Sequence, residues 1–168
     1  MKNLPFPKFL RPAFFICMGL CFTNMASSPA PEVFVGSSPC DPVMRPWMSI
    51  PLNTDCEFIK WKLLLFKNPE NDQQQRFNLT YTYGVSKPGT QGFLNGGSNA
   101  EMTGNWRVLN NCVNLPGKAV IQLKDQKIKT PLTFLKLNNS LLHLTDQEGH
   151  LMIGNAGWSY TLNKMKND

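Results

Sequence analysis

Sulfur is the element with most chemistry to offer in this sequence. There are five cysteines, at positions 17, 21, 40, 56 and 112. The first two fall in an N-terminal segment read below as a leader, which leaves Cys40, Cys56 and Cys112. Thiols in an oxidising compartment tend to pair. Three is an odd number, so one thiol stays free or bridges two chains. A Cys40–Cys56 bond would close a short loop, worth about 3 kcal/mol in the chain-entropy model. A Cys56–Cys112 bond would instead tie the start of one strand to a later loop. We expect the first pairing ahead of the second, and the fully reduced chain is the third state open to it. The same atoms suit a soft metal. Cu(I) favours Cys and Met sulfur, and Met44, Met48 and Cys56 lie near one another in sequence. The residues demand no cofactor, and copper at these three is the metal they suggest.

Other chemistry is sparse. His143 and His150 flank the turn Asp146–Gly149 and would approach each other across a hairpin. A nucleophile needs a base in reach and a group that orients the base. These two histidines have a turn aspartate, Asp146, and Glu148 beside them, no glycine-rich nucleophile elbow exists, and paired carboxylates are scarce. The expectation is a protein without catalytic activity.

The elements that must position these residues begin after a leader. Residues 1–26 open with Lys2, Lys8 and Arg11 and continue into the apolar run Pro12–Phe22. A basic head followed by a short apolar run reads as a secretory signal, and the run is shorter than the ~20 residues of a membrane span. Lipidation at Cys21 would need a small residue before it, where bulky Leu20 stands. Three of the 17 basic residues and none of the 11 acidic ones lie in the leader, so the remainder carries a net charge of +3. That balance is too mild to point to nucleic acid. Residues 27–46 are rich in Ser and Pro and are expected to form a tether without a regular ladder.

From Trp47 onward, short segments with a period of two follow one another. In Glu57–Lys67, Ile59, Trp61, Leu63 and Leu65 share one face, and Lys60 and Lys62 the other. In Arg76–Gly84, Phe77, Leu79, Tyr81 and Tyr83 share a face. Such alternation marks half-buried strands. Gly104 in mid-strand signals a bend or a close backbone approach. Trp47–Ile50, 119–123, 131–137, 141–145, 150–153 and 158–164 read as further strands. The aromatics Trp61, Tyr81, Tyr83, Trp106, Trp158 and Tyr160 fall on inward faces by this period. Eight or nine short strands predict an all-β, antiparallel, up-and-down, lipocalin-like barrel over residues 47–164. The long loops are Asn68–Gln75 and Gly84–Ala100.

Several motifs in this order resemble a known family: a proline-containing turn with a cysteine, then a long alternating strand. A "TGNW" strand and a "VIQL" strand follow, with the hairpin Leu141–Gly149 and the terminal strand around Tyr160–Leu162. Residues 47–164 resemble the NlpE-like domain of bacterial envelope proteins. That family is named for an outer-membrane lipoprotein linked to copper resistance and envelope-stress signalling. Family members carry a Pro-Cys-Ala-Asp-Cys turn before the long strand. Asp55 and Cys56 match it, whereas Asn53 stands where the first cysteine would be, so the two-thiolate pair is lost. The resemblance implies an exported protein of the periplasm or outer membrane that takes part in envelope-stress sensing or copper homeostasis through a protein partner. Two other readings stay open. One is a carrier with a cavity beneath Trp61, Trp106 and Trp158. The other is an inhibitor of an envelope or host enzyme, working through the Gly84–Ala100 loop.

Overall fold

The computed structural model describes residues 29–71, 75–112, 114–125 and 130–166. The leader and the Cys21 anchor fall outside them. The elements in chain order are β1 (Glu32–Pro39), α1 (Met44–Trp47), β2 (Phe58–Phe66), β3 (Arg76–Gly84) and β4 (Ser98–Cys112). β5 (Leu115–Asp125), β6 (Leu132–Lys136), β7 (Leu141–Thr145) and β8 (Thr161–Lys164) follow, with a short 3₁₀ turn at Leu94–Gly96 before β4. Each strand pairs antiparallel with the next, and β8 returns to β1, which closes an eight-stranded up-and-down barrel.

The period of two sets the register. β2 and β3 pair Ile59 with Tyr83, Trp61 with Tyr81, Leu63 with Leu79 and Leu65 with Phe77, so their apolar faces coincide. A register slip of one residue would turn all of these outward. Inside the barrel these side chains, except Tyr83, which is partly buried and packs against them, join Phe34, Met102, Trp106, Phe134, Leu144 and Leu162 in one buried cluster. The polar tip of Trp61 is satisfied within it, since Nε1–H donates to Ser38 Oγ at 2.9 Å. Gly104 does make a close approach: a Cβ there would collide with the Lys124 carbonyl of the neighbouring strand.

The tether expected over residues 27–46 is corrected. Its Val33-Phe34-Val35 core is β1, paired with β2 from Glu32↔Leu65 to Pro39↔Phe58. The prolines do not interrupt it, because Pro31 precedes the strand and Pro39 ends it. The strand expected at Trp47–Ile50 is instead the end of a single helical turn. Asp41 Oδ1 accepts from the backbone N–H groups of Val43 (3.0 Å) and Met44 (2.8 Å), the side-chain cap that starts such a turn. The segment 150–153 contributes one bridge, Leu151 to Thr145, and β8 begins at Thr161 rather than at Trp158.

The seam that closes the barrel is narrow. β1 meets β8 over two register pairs, Phe34↔Lys164 and Val35↔Asn163. Charge reinforces it. Glu32 takes Lys67 of the β2 end at 2.7 Å and Lys164 of β8 at 3.3 Å. Burial raises the Glu32 carboxyl pKa, but the two ammonium groups more than offset it and hold it below the ordinary 4.5. A carboxyl depressed in the folded state adds stability that is present above its unfolded pKa and lost as pH falls through the folded one. Urea midpoints measured across the acid range are therefore expected to fall with decreasing pH more steeply in the native chain than in Glu32→Gln. Equal slopes would remove the seam ion pairs from the account.

Candidate functional site

In an up-and-down barrel the connections β1–β2, β3–β4, β5–β6 and β7–β8 leave from the same end. Here that end carries the two longest, 40–57 and 146–160, and the connection 85–97. It is also where the disulfide lies. Cys40, just after β1, is bonded to Cys56, just before β2, with Cα atoms 5.7 Å apart and a sequence separation of 16. Cys112 is free and half-buried near the tip of the β4–β5 hairpin.

The segment between the bonded cysteines is a plug. Met44 and Met48 are fully buried, with Ile50 beside them in the core cluster. Tyr81, on the inward face of β3, donates its hydroxyl to the Met48 carbonyl at 2.5 Å. Tyr160 donates its hydroxyl to Asp41 Oδ2, the other oxygen of the carboxylate that starts α1. Burial, then the neighbouring Tyr83 and Asp125, push the Tyr81 phenol up to about 12. Burial and the bond to Asp41 push Tyr160 up as well. Both phenols thus stay protonated donors at any physiological pH.

Arg45 fastens the plug from the outside. Its Nε donates to the Cys40 carbonyl (3.2 Å), Nη1 to those of Leu52 (2.8 Å) and Thr54 (3.0 Å), and Nη2 to that of Cys56 (3.0 Å). A guanidinium has five donors in a rigid fork, and four carbonyls of an irregular loop converge on it. Cys40 N–H reaches the Glu57 carbonyl and Glu57 N–H the Gly84 carbonyl, so the plug is continuous with the sheet. Sequence reasoning gave Arg45 no role, because a side chain that bonds backbone carbonyls leaves no residue-type pattern.

The three residues of the copper set are placed apart from solvent or in covalent use. Cys56 sulfur is bonded to Cys40, and Met44 and Met48 are core side chains packed beneath the plug. Asp55, the other family-motif position, is exposed on the plug surface. The histidines do not meet. His143 lies on the outer wall, with Nε2 at 2.9 Å from the Met152 carbonyl and Nδ1 at 2.8 Å from Thr161 Oγ1. A carbonyl only accepts, so Nε2 carries the proton and, in the neutral ring, Nδ1 accepts from the threonine hydroxyl. His150 is exposed and bonds Asp146 through its ring (3.0 Å) and its amide (2.7 Å). Slight burial pushes the Asp146 carboxyl up, but these bonds outweigh it and leave it below its usual range. Asp146, Glu148 and His150 bring one ligand atom each within 4.8 Å of one another, on an open turn.

Of the aromatics placed inward by period, Trp61, Tyr81, Trp106 and Tyr160 are buried. Trp158 is not in the barrel. It precedes β8 on an irregular segment and stacks on Phe58 from outside. No family model, no curated protein and no solved structure matches this chain. The fold places it among eight-stranded up-and-down β-barrels, and the plugged end is its candidate site.

Loss of the staple should be costly. Replacing both cysteines (Cys40→Ala/Cys56→Ala) is expected to lower stability by about 3 kcal/mol. Arg45→Ala should cost about 2–3 kcal/mol, as several bonds from a charged donor are lost. Arg45→Lys should recover less than half of that, since a point ammonium cannot serve four carbonyls. Urea unfolding of the oxidised proteins measures all three.

Proposed function

We propose that this chain is an exported, non-enzymatic module of the cell envelope, of the NlpE-like type its sequence resembles. In this reading it takes part in envelope-stress sensing through contacts with a protein partner made at the plugged end. The observation that carries this reading is the Cys40–Cys56 bond closing a plug that presents apolar side chains to solvent. Disulfides persist in oxidising compartments such as the periplasm. Leu52 on the plug is 69% exposed and Ile153 on the β7–β8 connection 91% exposed, with Val43 and Leu94 also exposed at this end. Exposed apolar side chains gathered on one rim favour a macromolecular partner over solvent. A role in copper homeostasis would have to run through reduction of the bond, because the oxidised sulfurs offer no thiolate.

The carrier reading has less support. The space beneath Trp61 and Trp106 is occupied by core side chains, and Met44 and Met48 fill the plugged end.

Site-specific photocrosslinking in the exported protein separates these readings. A crosslinker at Leu52 or Ile153 is expected to give a discrete protein adduct, lost in Cys40→Ser. One at Lys136, at the opposite end, is expected to give none. Equal labelling from both ends, or a product retained in the cytosol with its thiols reduced, would contradict the proposal.

A further inference from the structure

Phe58 is out of phase with its strand. Ile59, Trp61 and Leu63 point into the barrel, so Phe58 points out, yet it is only 3% exposed. Two connections cover it. Phe93 stacks on it at 4.2 Å and 11°, and Trp158 at 4.9 Å and 1°. Two rings parallel to a third and not stacked on each other lie on its opposite faces. This three-ring stack pins the 85–97 and 146–160 connections against the barrel wall. Between the pinned connections, the outer faces of β8, β1 and β2 floor a trough of about 420 Å³. That volume lies within the range of roughly 300–1,000 Å³ seen for small-ligand sites.

The chemistry of the trough is narrow. Its floor carries Ser37, Thr161 and Asn163, its far wall Ser86, Thr90 and Gln91, and its near flank Trp158. Nearly every polar group here is a hydroxyl or an amide, which both donates and accepts. One ammonium, Lys60, donates to the Gln91 carbonyl and keeps further N–H groups. No carboxylate is among the described residues that line the trough, and the Glu57 carboxylate behind the wall takes the Ser86 hydroxyl and amide. Thr161 gives its proton to His143 in the neutral ring, so its oxygen is left to accept.

Ser86 is already bonded to Glu57 and Thr90 to the Lys87 carbonyl, but an apolar ligand would bury the side-chain polar groups of Ser37, Gln91 and Asn163 without partners. A phosphate calls for clustered cations, and one lysine is not a cluster. A hard or borderline metal calls for carboxylates or free imidazole nitrogen, and both nitrogens of His143 are engaged. Interleaved donors and acceptors beside a flat indole fit a ligand with hydroxyls around its edge and C–H groups on its face. We infer that the trough between the 85–97 and 146–160 connections is a binding site for a neutral saccharide. It does not rest on the proposed partner contacts, which need no small ligand.

The test uses the full oxidised chain, labelled for amide NMR. Cellotriose, maltotriose and chitotriose are the probes, with inorganic phosphate and decanoate as the competing chemistries. At least one saccharide is expected to shift the amides of Ser37, Gln91 and Asn163 in a saturable way with millimolar affinity. The exposed-face double variant Ser37→Ala/Asn163→Ala should keep the barrel spectrum and weaken binding by about tenfold or more. Three results would overturn the inference. In the first, none of the saccharides shifts these amides at about 10 mM, a concentration that would report even a Kd near 1 mM. In the second, affinity is unchanged in the double variant. In the third, phosphate or decanoate occupies the trough in place of the sugars.

Discussion

The covalent bond between Cys40 and Cys56 is the constraint on which the loop-bearing end of the barrel depends. The chain between them has one helical turn and otherwise irregular backbone. Alone, such a segment would lose too much conformational entropy on ordering. The bond removes part of that cost from the unfolded chain, and it fixes where β1 ends relative to where β2 begins. Arg45 then satisfies carbonyls that no strand or helix could reach, as half-buried backbone requires. With the backbone settled, Met44, Met48 and Ile50 can enter the core, and the Tyr81 and Tyr160 hydroxyls find fixed acceptors.

Charge and small residues do the corresponding work at the seam. Gly36 lies where a Cβ would sit 2.6 Å from the Thr161 carbonyl oxygen, so β1 and β8 can approach only without a side chain there. Glu32 then binds the ends of β2 and β8 to the start of β1 through Lys67 and Lys164. A seam of two register pairs is short for a barrel, and these contacts and the plug stabilise it from its two ends. Beyond Trp106, β4 and β5 pair with each other alone until Val120 meets β6. The tip of this arm rests on the β7–β8 turn, where Asn114 donates to the Glu148 carbonyl.

Much of this could be read in the residues, for a physical reason. Half-buried antiparallel strands impose a period of two, and β2 and β3 keep it without a break. The barrel class and the inward set of Trp61, Tyr81 and Trp106 follow from that period. β1 was hidden because its short Val-Phe-Val run lies among prolines, which suppress ladders only at the positions they occupy. The helical turn of the plug depends on one capping carboxylate, Asp41, and no apolar period announces four residues. Met44, Met48 and Cys56 are close in sequence, but proximity does not say which way a side chain points, and both methionines turn inward. The aromatic stack joins residues from two irregular segments. Its trace in the sequence is Phe58, a large apolar residue on the lysine-bearing face of its strand.

The central claim is that the disulfide holds the plug, and that the plug orders the end of the barrel from which a partner would be met. Hydrogen exchange of the oxidised protein with and without reductant tests it most directly. On reduction, amides of residues 41–56 and of the adjoining 85–97 connection should lose protection, while those of β3 and of β4 up to Trp106 keep theirs. Unchanged protection across residues 41–56 after full reduction, or an equal loss in every strand, would contradict it.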